Sequence, residues 1–95
     1  MELVFMYTQE KTPLTKIVKV EYTDFTRYWC FGEKYVVDVY DINEGKIEQN
    51  EYTAFVFDDM TVEELVSSDA GKYAIQVFAG KDAVEQYAKL VANCN

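Results

Sequence analysis

An α+β domain built on a mostly antiparallel sheet is the fold class this sequence predicts, and three observations predict it. Short runs of apolar residues, several in strict alternation with polar ones and bounded by turn residues, recur from the N-terminus to residue 57. Two segments with helix-start signals follow, at Thr61 and near Asp82, with one more strand pattern between them. The 95 residues are 49% hydrophobic and include 6 Phe, 8 Tyr and 1 Trp, enough for one core and too few for a second domain. Residues 1–95 therefore read as a single unit with the element order β-β-β-β-β-α-β-α, the C-terminal helix packing on the sheet.

Leu3, Phe5 and Tyr7 alternate with Val4 and Met6, so the first predicted strand is apolar on both faces and belongs inside the sheet. Gln9–Pro13 supplies a turn. In the second strand, Lys16–Tyr22, Val18, Val20 and Tyr22 share one side and Lys19 and Glu21 the other, which implies one wet face. A third strand near Arg27–Phe31 leads through Gly32-Glu33 into Tyr35–Tyr40, where Tyr35, Val37 and Val39 share a face opposite Asp38. Asp41–Gly45 forms the next turn, with Gly45 free to take a positive φ. The β-branched and aromatic run Tyr52–Phe57 reads as a fifth strand.

Thr61 then starts a short helix. As N-cap it places Glu64 at the third helical position, closing a capping box, and sets Met60 and Leu65 as a hydrophobic staple. Ser67–Gly71 ends that helix, and Tyr73–Phe78 reads as the last strand. Asp82 with Glu85 repeats the cap spacing ahead of a final helix whose Val84, Tyr87, Ala88 and Val91 form one stripe, closed by Asn93 in a left-handed conformation.

Charge excludes several functions. The net charge is −8, and between Lys46 and Lys72 the chain has seven carboxylates, Glu48, Glu51, Asp58, Asp59, Glu63, Glu64 and Asp69, with no basic residue. A phosphate backbone is repelled by such a stretch, because nucleic-acid affinity comes from Lys and Arg displacing condensed counterions. Direct nucleic-acid binding is thereby disfavoured. No histidine occurs, so the commonest general base and metal ligand are both missing. The N-terminal run has an acid where a signal peptide carries positive charge, and no stretch approaches a membrane span, so the expected setting is cytoplasmic and reducing.

Candidate chemistry is sparse. The Asp58, Asp59, Glu63 and Glu64 cluster has oxygen ligands for a hard cation, yet its spacing matches no template, and acids in a first helical turn already gain from the helix dipole. Asp41–Gly45 fails the calcium-loop pattern because its glycine falls at the fifth position and Tyr52 stands where the bidentate glutamate belongs. Cys30 lies in an apolar run with no histidine to activate it, Cys94 is penultimate, and neither has metal or redox spacing. Gly32 and Gly80 lack a phosphate-loop context. No catalytic residue, cofactor or metal is expected.

Three functions compete. The first is a non-catalytic protein-interaction domain in which Glu48, Glu51, Asp58, Asp59, Glu63, Glu64 and Asp69 meet a basic protein surface, with Trp29 or an exposed tyrosine as anchor. Its extension is an inhibitor that mimics nucleic acid, with carboxylates standing where phosphates would against a nucleic-acid-binding protein. The second is a small-ligand domain with an aromatic-lined pocket. The third is an enzyme using carboxylates, cysteine or tyrosine. Homo-oligomerisation is open in each.

Overall fold

A computed structural model describes residues 13–33 and 35–94. In them four strands, β1 (Lys16–Glu21), β2 (Thr26–Phe31), β3 (Val36–Asn43) and β4 (Lys46–Gln49), form a meander. Helices α1 (Glu51–Val56) and α2 (Val62–Ser67) and a 3₁₀ turn (Asp69–Lys72) follow, then β5 (Ala74–Ala79) and helix α3 (Lys81–Asn93). The sheet order is β4-β3-β2-β1-β5 with every neighbour antiparallel, so the α+β class and the packing of the C-terminal helix on the sheet are as expected. The predicted strand at residues 3–7 lies outside the described residues.

Both faces of the sheet are covered. On one, α3 lays Ala83, Tyr87 and Leu90 over Ile17, Tyr28, Cys30 and Tyr40. On the other, Leu65 of α2 and Ala70 of the 3₁₀ turn cover Val18, Val20, Trp29, Phe31, Val36 and Val39. Strand alternation dictates this division, since successive side chains point to opposite faces. The face of β1 expected to be wet is only partly so: Ile17 is fully buried there, and the Lys19 ammonium lies 5.9 Å from the Tyr28 ring.

Two local devices set the register. Glu44 and Gly45, with φ of 54° and 83°, form the two-residue turn that joins β3 to β4, a geometry whose twist matches that of the strands. Between β2 and β3 the register shifts: Cys30 faces Asp38 while Phe31 faces Val36, leaving Val37 as the extra residue of a bulge. The bulge puts Val36 on the same face as Val39, so the expected grouping of Tyr35, Val37 and Val39 does not form, while Asp38, opposite Val39 as alternation predicts, lies on the side that α3 covers.

The capping box at Thr61 is present, Thr61 Oγ1 accepting from Glu64 N at 3.2 Å and Glu64 Oε1 from Thr61 N at 2.9 Å. Such a cap stabilises its helix by about 1 kcal/mol. The start of α3 differs from the Asp82 reading. Gly80 is the N-cap at φ 57° with no side-chain hydrogen bond, because a glycine there lets the chain turn into the helix earlier. At the other end Asn93 stays helical, donating from Nδ2 to Lys89 O, and Cys94 leaves in extended form to bridge Ile47 of β4.

Tyr52–Phe57 is helical rather than extended. Asn50 Oδ1 accepts from Thr53 N at 2.9 Å and so caps α1, while Asn50 Nδ2 donates to Asp41 Oδ2 at 2.8 Å. Asp41 in turn holds Arg27 in a two-pronged ion pair at 2.7 and 3.1 Å. A tertiary relay, Arg27–Asp41–Asn50, thus fixes where α1 begins and overrides the β-propensity of its residues.

Candidate docking surface

With α1 held by its cap, its outer side is left to solvent. Tyr52 is 77% and Phe55 76% exposed, with Val56 and Phe57 partly exposed beside them. Phe57 also turns inward, its ring 5.6 Å edge-on from Trp29. The inner side of α1 contributes Ala54 to the core. Four apolar side chains in six positions therefore contact water, although residues of this type are enriched at protein interfaces.

Carboxylates border this patch. Glu51 opens α1, and Asp58 and Asp59 follow it in the turn, all exposed. Glu51 and Asp58 converge on one groove between α1 and β3, a space of about 150 Å³ walled by Val36, Val37, Ala54 and Phe55. Glu48 sits on β4 opposite Asp41. Glu63 lines a different groove of about 330 Å³, shared with Lys16, Glu33 and Tyr35. Glu64 is committed to the capping box, and Asp69 faces Lys72 at 3.6 Å, an exposed pair of small energetic value. The structure thus brings Glu51 and Asp58 to one groove and distributes the other acids over neighbouring elements.

Trp29 does not serve as an exposed anchor. It is 3% exposed, covered by Phe57, with the Arg27 guanidinium 5.2 Å from its ring. Strand parity places it there: Trp29 is on the α1–α2 side of β2, beneath the helices that close that face. The exposed aromatic side chains beside the acids are instead Tyr52 and Phe55. The signal that would have found them is Asn50 followed by an acid and a threonine, an N-cap pattern obscured by the β-forming residues after it.

A second feature missed in the sequence is Asp38, 2% exposed on the α3 side. Its carboxylate accepts from the Tyr87 hydroxyl at 2.7 Å and from Gln49 Nε2 at 2.6 Å. Burial, reinforced by the hydrogen bond to Asp38 and by its charge, raises the Tyr87 phenol well above its ordinary range. Burial and the same charge raise Tyr40 and the Cys30 thiol as well. Protonated Cys30 is a poor nucleophile and packs as a small apolar residue. No group of three or more His, Cys, Asp or Glu able to hold a metal occurs among the described residues, nor any helix long and apolar enough to cross a membrane.

Compared with known proteins, the chain has no significant match to a family model, a curated protein or a solved structure.

Proposed function

We propose that this chain is a non-catalytic protein-interaction domain whose α1 face docks on a basic protein surface. The observation that carries the reading is the exposure of Tyr52 and Phe55 on a six-residue helix bordered by Glu51, Asp58 and Asp59. Exposed aromatic residues add nothing to the core, whereas large rigid rings at the centre of an interface account for much of the binding energy. A carboxylate rim selects partners by charge and speeds their encounter. A partner whose basic surface ordinarily holds nucleic acid satisfies the same complementarity, in which case the domain acts as a competitive inhibitor.

The test compares capture of cellular proteins by the wild type, Tyr52→Ser/Phe55→Ser and Glu51→Lys/Asp58→Lys at low and high salt. Captured basic proteins should be lost from both variants and should weaken with salt, as screened surface charges do. Both variants alter exposed residues, so each substitution should change stability by no more than about 0.5 kcal/mol. Undiminished capture by both folded variants overturns the reading.

The groove of about 330 Å³ favours a second reading, a small-ligand domain, because it reaches the lower end of the ~300–1,000 Å³ typical of ligand pockets. Half-exposed Tyr35 lies on its lining. A small molecule that raises the melting temperature of the wild type but not of Tyr35→Ser would support it.

A further inference from the structure

We propose that the groove between α1 and β3 is an arginine subsite: one arginine side chain of the basic partner enters it. This inference rests on the docking reading and names the chemistry of its contact. The groove exists because β4 stops at Gln49, opposite Tyr40, and the chain then turns helical. Asn50 N still donates to Val39 O at 2.7 Å, and beyond that point the outer edge of β3 meets α1 instead of another strand.

Volume, walls and charge each narrow the occupant. About 150 Å³ holds a single ring-sized group and falls below the volume of ordinary small-molecule pockets. Val36, Val37 and Ala54 suit an aliphatic stem, and Phe55, on the same lining, brings an aromatic ring of the kind that attracts a cation. Glu51 and Asp58, on the same lining, form no ion pair with any described residue. A guanidinium meets all three conditions: it is planar, stacks on aromatic faces and presents several N–H groups to carboxylates. An ammonium is more strongly hydrated and lacks the fork, so lysine fits less well. The chain already pairs these groups once, with Arg27 held by Asp41 and lying 4.9 Å from the Phe25 ring.

The test is an amide NMR titration of the labelled full chain with N-acetylarginine amide, N-acetyllysine amide and N-acetylcitrulline amide, the last matching arginine in shape without its charge. Arginine should shift the amides of Val37, Phe55 and Asp58, with citrulline weaker by about tenfold or more, as expected for hydrogen bonds to charged groups. Glu51→Gln/Asp58→Asn should abolish the response, while Asp82→Asn/Glu85→Gln on α3, an equal change of net charge at exposed residues, should leave it within about twofold. No shift at these amides, an equal response to citrulline, or equal loss from both pairs overturns the subsite. Those outcomes leave docking itself standing, because that is read independently from partner capture by the Tyr52→Ser single variant.

Discussion

Replacing Tyr87 by phenylalanine removes one oxygen from the core and nothing else of comparable size. The ring remains, as does its edge-on contact with Tyr40 at 6.0 Å, so no cavity opens. What is lost is the hydroxyl, with its 2.7 Å hydrogen bond to the Asp38 carboxylate and its hydrogen bond with Tyr40. A hydrogen bond to a charged group contributes about 1.5–3 kcal/mol. The larger penalty of removing a buried charge's partner, about 3–5 kcal/mol, does not apply because Gln49 still donates at 2.6 Å. Tyr87→Phe should therefore destabilise the fold by about 1.5–3 kcal/mol, which for a domain of this size lowers the melting temperature by roughly 6–24 °C. Urea unfolding at neutral pH followed by far-ultraviolet circular dichroism measures it, with an unchanged m-value confirming that the same surface is exposed. A cycle with Asp38→Asn should return a coupling of about 1 kcal/mol or more. A loss under about 0.5 kcal/mol, the range of an ordinary surface change, would refute the account of Tyr87 as a donor to a buried carboxylate.

Two further outcomes are expected. Stability should fall on the alkaline side: Cys30, Tyr40 and Tyr87 keep their protons in the fold beyond the ordinary values of 9.0 and 10.0 at which the unfolded chain loses them. The stabilisation is complete below pH 9, begins to decline there with the thiol and steepens above pH 10 with the phenols, by up to about 1.4 kcal/mol per pH unit per group. Urea midpoints from neutral pH upward measure this. A flat profile contradicts it, and Tyr87→Phe should lessen the slope above pH 10. Asn50→Ala removes both the α1 cap and the bond to Asp41, and should cost about 1–3 kcal/mol, with faster hydrogen exchange across Glu51–Val56 than in Thr61→Ala, whose lost cap belongs to α2.

Period and punctuation were sufficient for most of the fold. Alternation in Lys16–Glu21 and Ala74–Ala79, the aromatic run of Thr26–Phe31 and the Thr61 cap are local signals that agree with their surroundings. Tyr52–Phe57 reads as a strand because Tyr, Phe and Val favour extended structure, while α1 starts at a cap, Asn50, that Asp41 and Arg27 hold from other strands. The brief β4 carries a single apolar residue, Ile47, too little to form a strand pattern in the sequence. Asp38 lies on the side of its strand that alternation predicts, and its burial comes from α3, whose Tyr87 is 49 residues away in sequence. Of the candidate site, the acids were legible as a run without bases. Their assignment to separate grooves, and the exchange of buried Trp29 for exposed Tyr52 and Phe55, depended on contacts between residues distant in sequence.

The bulge at Val37 has a consequence for how this sequence can change. With that residue excised, Val36 and Asp38 become adjacent and already point to the opposite sides each needs, so an unbroken ladder could form with the interior population unaltered. For the sheet, Val37 is therefore a spare position, where loss of a codon is absorbed as local straightening of one strand instead of inversion of half a core, and what changes is one wall of the groove beside α1.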